Sequence, residues 1–222
     1  MLKLYHYFRS STSYRVRVAL NYKELDYELI AVNLVKGEQF DPEYLKLNPQ
    51  GAVPTLIDDG FVVTQSMAIM DYLNEKYPGK SYYPDGLEAR SFVRRIAQIV
   101  SCDIHPVNNL RVLKYLTNEL GVEENQKIAW YQKWIHDSFN SVEELLKMNS
   151  FHKEGGYCCG ETPTIADMCL IPQVYNARRF ECDMDQFPLI QAVEDKCLAH
   201  PAFIKADPHT QPDTPEELRK AG

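Results

Sequence analysis

Hydrophobic and polar positions change their period several times in the first eighty residues. Leu2 to Tyr7 is a short β-prone run, and Arg9 to Ser13 is polar and turn-like. Tyr14 to Tyr22 has helical spacing, with Val16, Ala19 and Leu20 on one face and Ser13 as the expected N-cap. Asp26 to Val32 reads as a second strand and Pro42 to Leu47 as a short helix closed by Asn48-Pro49-Gln50-Gly51. Val53 to Ile57 and Phe61 to Thr64 read as strands joined at the hairpin signal Asp58-Asp59-Gly60. Ser66 to Tyr77 closes the series as a helix with Ile69, Met70 and Leu73 on one side. The order β-α-β, β-hairpin, helix predicts a small α/β unit with a mixed sheet.

Tyr77 to Gly86 carries two prolines and two glycines in ten residues and reads as a linker. Beyond it no strand pattern appears. Leu87 to Leu120 and Glu123 to Met148 are long amphipathic stretches, followed by helical segments at Ile165 to Phe180, Pro188 to Ala199 and Pro201 to Ala206. The tail His209 to Gly222 is polar and is expected on the surface. The predicted organisation is an α/β domain over 1–80 and an all-helical domain over 87–222.

Composition narrows the class. The 222 residues are 45% hydrophobic and 25% charged, as in ordinary globular chains. A net charge of −7 weighs against nucleic acid as a partner, although a local cationic pocket stays open. Mean hydropathy is −0.39, and no apolar run nears the roughly 18–20 residues that span a bilayer. No membrane association is expected, and the N-terminus lacks the apolar core of a signal peptide. The six cysteines, at 102, 158, 159, 169, 182 and 197, show no C-x-x-C spacing. They suit mostly buried thiols in a reducing cytoplasm rather than a metal site or a disulfide framework.

Three turns carry candidate chemistry. Arg9-Ser10-Ser11-Thr12-Ser13 puts hydroxyls and a cation at a helix N-terminus, where N–H groups and the helix dipole favour an anion such as a thiolate. A serine O–H on a bound sulfur would lower that thiol's pKa. The same residues also suit simple N-capping. Val53-Pro54 opens a strand with a residue that cannot donate to a ladder. Trans is the default for an isolated Val-Pro, whereas a cis bond would turn the valine backbone toward an extended ligand. Gln65-Ser66 offers either an N-cap or a dock for a carboxylate. Together the turns suit a short, extended, thiol-bearing peptide with free carboxylates.

These motifs resemble those of the cytosolic glutathione transferases. Tyr7 to Leu20 resembles the zeta-class signature, in which a serine pair precedes a cysteine. Asn48 to Leu56 and Gln65 to Ile69 match the family's cis-proline and carboxylate-binding motifs. Thr164-Ile165-Ala166-Asp167 resembles its buried helix-capping box, and Gln211 to Leu218 the zeta-class C-terminus. The resemblance spans essentially the whole chain. It implies a thioredoxin-like glutathione-binding domain followed by an all-α substrate-binding domain, assembled as a homodimer, with glutathione as cofactor and no metal. By the same resemblance Ser10 contacts the glutathione sulfur and Ser11 neighbours it. Thr12, Gln39, Val53, Pro54, Gln65 and Ser66 line the glutathione site, joined by His105 and Asn109 of the helical domain.

The implied reaction is cis–trans isomerisation of maleylacetoacetate to fumarylacetoacetate, in phenylalanine and tyrosine catabolism. Alternatives are isomerisation of maleylpyruvate, which the segments Cys102 to Leu113 and Asn176 to Phe180 also resemble, and conjugation or dehalogenation of small α-halo acids. A non-catalytic glutathione-binding protein is disfavoured by the intact serine, Val-Pro and Gln-Ser set. Ser10, Ser11 and Arg9 are the expected catalytic residues. Arg9, Arg111 and Arg179 are expected to hold the substrate carboxylate, with Arg178 a lesser candidate, because guanidinium grips a carboxylate in bidentate fashion. His105 is read as a ligand contact. Thr12 stands where the signature has cysteine and Tyr14 where it has tryptophan. Thr12 can form no mixed disulfide, but isomerisation needs only the thiolate of glutathione.

Overall fold

The structure is a computed structural model that describes residues 1–219. It divides into two units. The first holds residues up to Tyr82 together with the segment from Leu198 onward, and the second runs from Tyr83 to Cys197. The division falls within the Pro/Gly-rich segment that reads as a linker. The sequence reading placed everything after 87 in one helical domain. The structure instead packs residues from Leu198 to Arg219 with the first unit, because buried side chains of its first helix bind that segment's backbone.

The first unit begins β1 (Leu2–His6), α1 (Ser11–Tyr22), β2 (Tyr27–Ala31), α2 (Pro42–Leu47), β3 (Thr55–Asp58), β4 (Phe61–Thr64) and α3 (Ser66–Lys76). The sheet has order β2-β1-β3-β4. β1 and β2 are parallel, with Leu2 opposite Tyr27, whereas β3 is antiparallel to both β1 and β4. This is the predicted mixed sheet. Asp59 and Gly60 both have positive φ, 47° and 91°, as a tight two-residue hairpin requires. β3 starts at Thr55 rather than Val53, since Pro54 has no N–H to give the ladder. The Val53–Pro54 bond is cis, not the trans default of an isolated Val-Pro. Leu4, Leu56, Ile69, Met70 and Leu73 are fully buried, joining sheet to helix.

α1 starts three residues before the sequence reading placed it. Its cap is Ser10, whose Oγ accepts from the Ser13 N–H at 3.3 Å. Ser13 is fully buried, with its own Oγ toward the Tyr7 N–H at 3.5 Å, so it lies inside the helix. Every residue of α1 except Thr12 is buried, Arg15 and Arg17 included.

The second unit is helical: α4 (Leu87–Gln98), a π-helical turn (Ile99–Ile104), α5 (Leu110–Asn118), α6 (Glu124–Met148), α7 (Ile165–Arg179) and α8 (Pro188–Leu198). The stretch read as continuous from Leu87 to Leu120 is broken after the π-turn, where Pro106 cannot continue the ladder and Asn109 caps α5. α7 opens on a capping box. Buried Asp167 accepts from the Thr164 N–H and O–H at 2.7 and 2.8 Å and from the Cys158 N–H at 2.7 Å. Five cysteines are buried and Cys102 is exposed; none is in a disulfide. No helix of the described residues is long and apolar enough to cross a membrane.

The chain then returns to the first unit through α9 (Pro201–Ala206). The Asn21 amide donates to the Ala202 carbonyl at 3.1 Å, and Arg17 Nε to the Ala206 carbonyl at 3.1 Å. The tail was expected to be a polar surface strand of chain. Among its described residues, however, Gln211 and Thr214 are only 4% and 2% exposed. Their polar groups are satisfied inside the segment, Gln211 by the Lys205 and Asp207 carbonyls and Thr214 by the Pro208 carbonyl. The end of the predicted tail, residues 220–222, lies outside the described residues.

Candidate active site

The loop between β1 and α1, the loop before β3 and the start of α3 lie in the first unit. Tyr7, Phe8, Val32, Tyr44 and Val53 form one buried apolar cluster that joins the first two of these segments. Above it, the Ser10 and Thr12 hydroxyls are 2.8 Å apart, and Thr12 Oγ1 donates to the Val53 carbonyl at 3.0 Å. The direction of both bonds follows. A carbonyl only accepts and a threonine has a single hydroxyl proton, so Ser10 must donate to Thr12. Ser10 Oγ thus accepts from Ser13, donates to Thr12, and keeps a proton that can turn to a stronger acceptor. Thr12, at the signature cysteine position, bridges the helix cap to the backbone before Pro54.

The loop from Asn48 to Val53 is fixed by Asn48 and Gln50 of the closing turn and by Tyr44, which the sequence reading did not single out. Asn48 Nδ2 donates to the Ala52 carbonyl at 2.8 Å and to Thr55 Oγ1 at 3.1 Å, while its Oδ1 accepts from the Gln50 N–H. The Tyr44 hydroxyl donates to the same Ala52 carbonyl at 2.6 Å. Gln65 has φ 69°, unusual for a residue with a Cβ, and its amide donates to Gln50 Oε1 at 2.5 Å. Such backbone strain concentrates at functional sites. Ser66, buried at the first position of α3, takes a hydrogen bond from Arg15 at 3.3 Å. An arginine inside an otherwise apolar helix face was the signal available for Arg15, and the turn motif Asn48-Pro49-Gln50-Gly51 that for Gln50; Tyr44 had none.

Gln39 is 5% exposed, and its Oε1 has no hydrogen-bond partner in the structure. A buried acceptor without a donor is costly unless a ligand supplies one. A peptide with N–H groups, carboxylates and a sulfur fits this donor and acceptor set, so the residues present suit glutathione. Ser11 is buried and opens α1; Arg9 is half-buried, its guanidinium 5.8 Å from the Phe8 ring centre.

His105, Asn109, Arg111 and Arg179 belong to the helical unit. The Asn109 amide lies 3.2 Å from His105 Nε2, and its Oδ1 accepts from the Arg111 N–H at 3.1 Å. The two arginines ending α7 differ. Arg178 Nε is 3.0 Å from both carboxylate oxygens of Glu194, which commits it to an ion pair and raises its pKa. Arg179 lies over the Phe180 ring at 4.8 Å, and that ring stacks on Tyr131 at 3.6 Å. Arg178 is therefore committed to a structural ion pair.

Comparison with known proteins agrees with this geometry. Residues 1–75 match the family model of the glutathione S-transferase N-terminal domain. A probable maleylacetoacetate isomerase of Vibrio cholerae is 46% identical over 96% of this chain and 98% of its own length. A maleylpyruvate isomerase of Ralstonia sp is 45% identical over 96% and 100%. The crystal structure of maleylacetoacetate isomerase from Methylobacterium extorquens AM1, with bound malonate and glutathione, superposes with a TM-score of 0.92 at 34% identity, covering 96% of this chain and 99% of that one. Likeness of this extent over whole chains, added to a serine-capped first helix facing a cis-proline loop, makes the chain a member of the zeta class of glutathione transferases, the family of the maleylacetoacetate isomerases.

Proposed function

We propose that this chain is a glutathione-dependent cis–trans isomerase that converts maleylacetoacetate to fumarylacetoacetate. The observation that carries this reading is the directed hydroxyl chain from Ser10 through Thr12 to the Val53 carbonyl, set at a helix N-terminus in a chain of this family. Glutathione, when bound, would supply a thiolate nucleophile for the cis alkene and be regenerated, the former double bond being single and free to rotate only while the sulfur is attached. The protein's part is to hold negative charge. The Ser10 O–H is the donor able to turn from Thr12 to an anionic sulfur, and the first-turn N–H groups of α1 add the helix dipole. Val53 and Gln39 are assigned to the peptide backbone of the cofactor, with Pro54 holding the loop. Gln65 and Ser66 are assigned to its carboxylate, and His105 and Asn109 to further contacts.

The substrate is an acid and the chain carries a net charge of −7, so local cations must receive it. Arg9 is assigned to the substrate carboxylate and to charge developing beside the sulfur. Arg179 and Arg111 are assigned to the carboxylate as well. The chain is further proposed to act as a cytoplasmic homodimer, in keeping with its buried thiols. Sedimentation equilibrium at micromolar concentration is expected to give twice the 25.7 kDa chain mass; the monomer mass alone would refute the dimer.

Maleylpyruvate is the second reading, favoured by a relative of that name at nearly the same identity. Both substrates should be assayed side by side with glutathione, following product geometry and total thiol. The expected result is trans product from maleylacetoacetate at the higher kcat/KM, with no loss of thiol; halide release from a small α-halo acid would instead mark a dehalogenase. Stoichiometric loss of glutathione would identify a conjugating transferase instead.

A further inference from the structure

The loop that leads into Ser10 is held from behind by the C-terminal segment. Phe8 is bound at both ends of its main chain. Its N–H donates to Asp213 Oδ2 at 2.8 Å, and its carbonyl accepts from Arg17 NH2 at 3.0 Å. The same guanidinium donates to the Ala206 carbonyl through NH2 at 3.0 Å and through Nε at 3.1 Å, so one buried arginine ties the loop to the end of α9. Tyr7 is drawn in as well, its carbonyl accepting from the Ser10 N–H at 3.0 Å.

His6 links the two charges. Its Nδ1 faces Arg17 NH1 at 3.3 Å, and its Nε2 lies 3.5 Å from Asp213 Oδ1. A guanidinium only donates, so Nδ1 is the acceptor and Nε2 carries the proton; its 3.5 Å separation from Asp213 Oδ1 is a proximity and not a formed hydrogen bond. The ring is 1% exposed, and burial, aided by Arg17, holds its pKa down at about 3, which keeps it neutral. The result is a buried Arg17–His6–Asp213 series closing on the Phe8 peptide. Asp213 stands 205 positions after Phe8.

We propose that Asp213 is a positioning residue for the reaction: through the Phe8 N–H it fixes the turn that aims Arg9 and Ser10. The inference rests on the function proposed above. A main-chain shift at Phe8 is passed within two residues to the Ser10 hydroxyl, whose use depends on its alignment with the sulfur.

The test measures, in the full-length protein, the thiol pKa of bound glutathione, kcat and KM, and amide hydrogen exchange at Phe8. Asp213→Ala is expected to raise the thiol pKa, to lower kcat roughly 10-fold with little change in glutathione KM, and to speed Phe8 exchange. Asp213→Asn keeps an oxygen acceptor for the Phe8 N–H and is expected to restore most of the turnover. Loss of a buried negative charge by itself favours the thiolate, so a pKa lowered in both variants would overturn positioning. Gln211→Ala loosens the same segment without touching Phe8, and is expected to lower stability but leave the thiol pKa alone. If it reproduces Asp213→Ala, or if folded Asp213→Ala behaves as wild type, the proposal fails. Should Asp213→Ala not fold, Asp213→Ser takes its place with the same expected outcomes. A wild-type protein that binds no glutathione would instead overturn the proposed function, and this inference with it.

Discussion

Replacing Asp167 by alanine is expected to cost about 3–5 kcal/mol of folding stability, because several buried neutral donors lose their acceptor at about 1–3 kcal/mol each. The carboxylate is fully buried at the start of α7. One oxygen takes the Cys158 N–H, and the other takes both donors of Thr164. Burial pushes the carboxyl pKa up, and the hydrogen bonds from Cys158 and Thr164 oppose that shift by favouring the ionised acceptor. Alanine leaves these buried donors without their acceptor and removes the Asp167 half of the capping box of α7, while Thr164 stays as the N-cap. Asparagine is expected to rescue little. It has one acceptor oxygen, and its amide would place hydrogens against either Cys158 or Thr164. Urea unfolding of the three proteins measures the effect, and a loss below about 1 kcal/mol in Asp167→Ala would show that water or relaxation replaces the carboxylate.

Ser10→Ala is expected to lower isomerase turnover roughly 10- to 100-fold, or about 1.4–2.7 kcal/mol in the barrier, with a smaller effect on glutathione binding. Two losses combine. The cap bond from the Ser13 N–H disappears, at about 1 kcal/mol of helix stability. The O–H that can turn from Thr12 to a charged sulfur disappears too, and this matters only where the sulfur is anionic. The thiol pKa of bound glutathione should rise accordingly, read by its ultraviolet absorbance against pH. Thr12→Val separates the two functions of the chain, because it removes the bridge to the Val53 carbonyl while leaving the Ser10 hydroxyl in place. Unchanged turnover and pKa in Ser10→Ala would move the sulfur-stabilising role to Ser11 or to the N–H groups of α1.

Much of this was legible without coordinates. Alternation of period 2 and period 3.6, punctuated by Asp58-Asp59-Gly60 and by Pro42, determined the mixed sheet and its helices, because local sterics and one-sided burial act over a few residues. The Ser-Ser, Val-Pro and Gln-Ser motifs marked the turns proposed to receive glutathione for the same reason: caps and prolines act on the backbone beside them. Tertiary structure decided the rest. Ser10 and Ser13 are equally good caps in sequence, and the choice went to Ser10 because the core buries Ser13. Arg178 and Arg179 are adjacent and alike, but only contact with Glu194 on α8 commits Arg178 to an ion pair. The polar tail is exposed at Thr210, Pro212 and Glu216 to Arg219, as expected, but Gln211 and Thr214 turn inward, because polarity predicts exposure only when no buried partner waits for it. Arg17, buried in α1, and the Phe8 N–H needed acceptors, and Ala206 and Asp213 met that need from about two hundred residues away, beyond the reach of any local pattern.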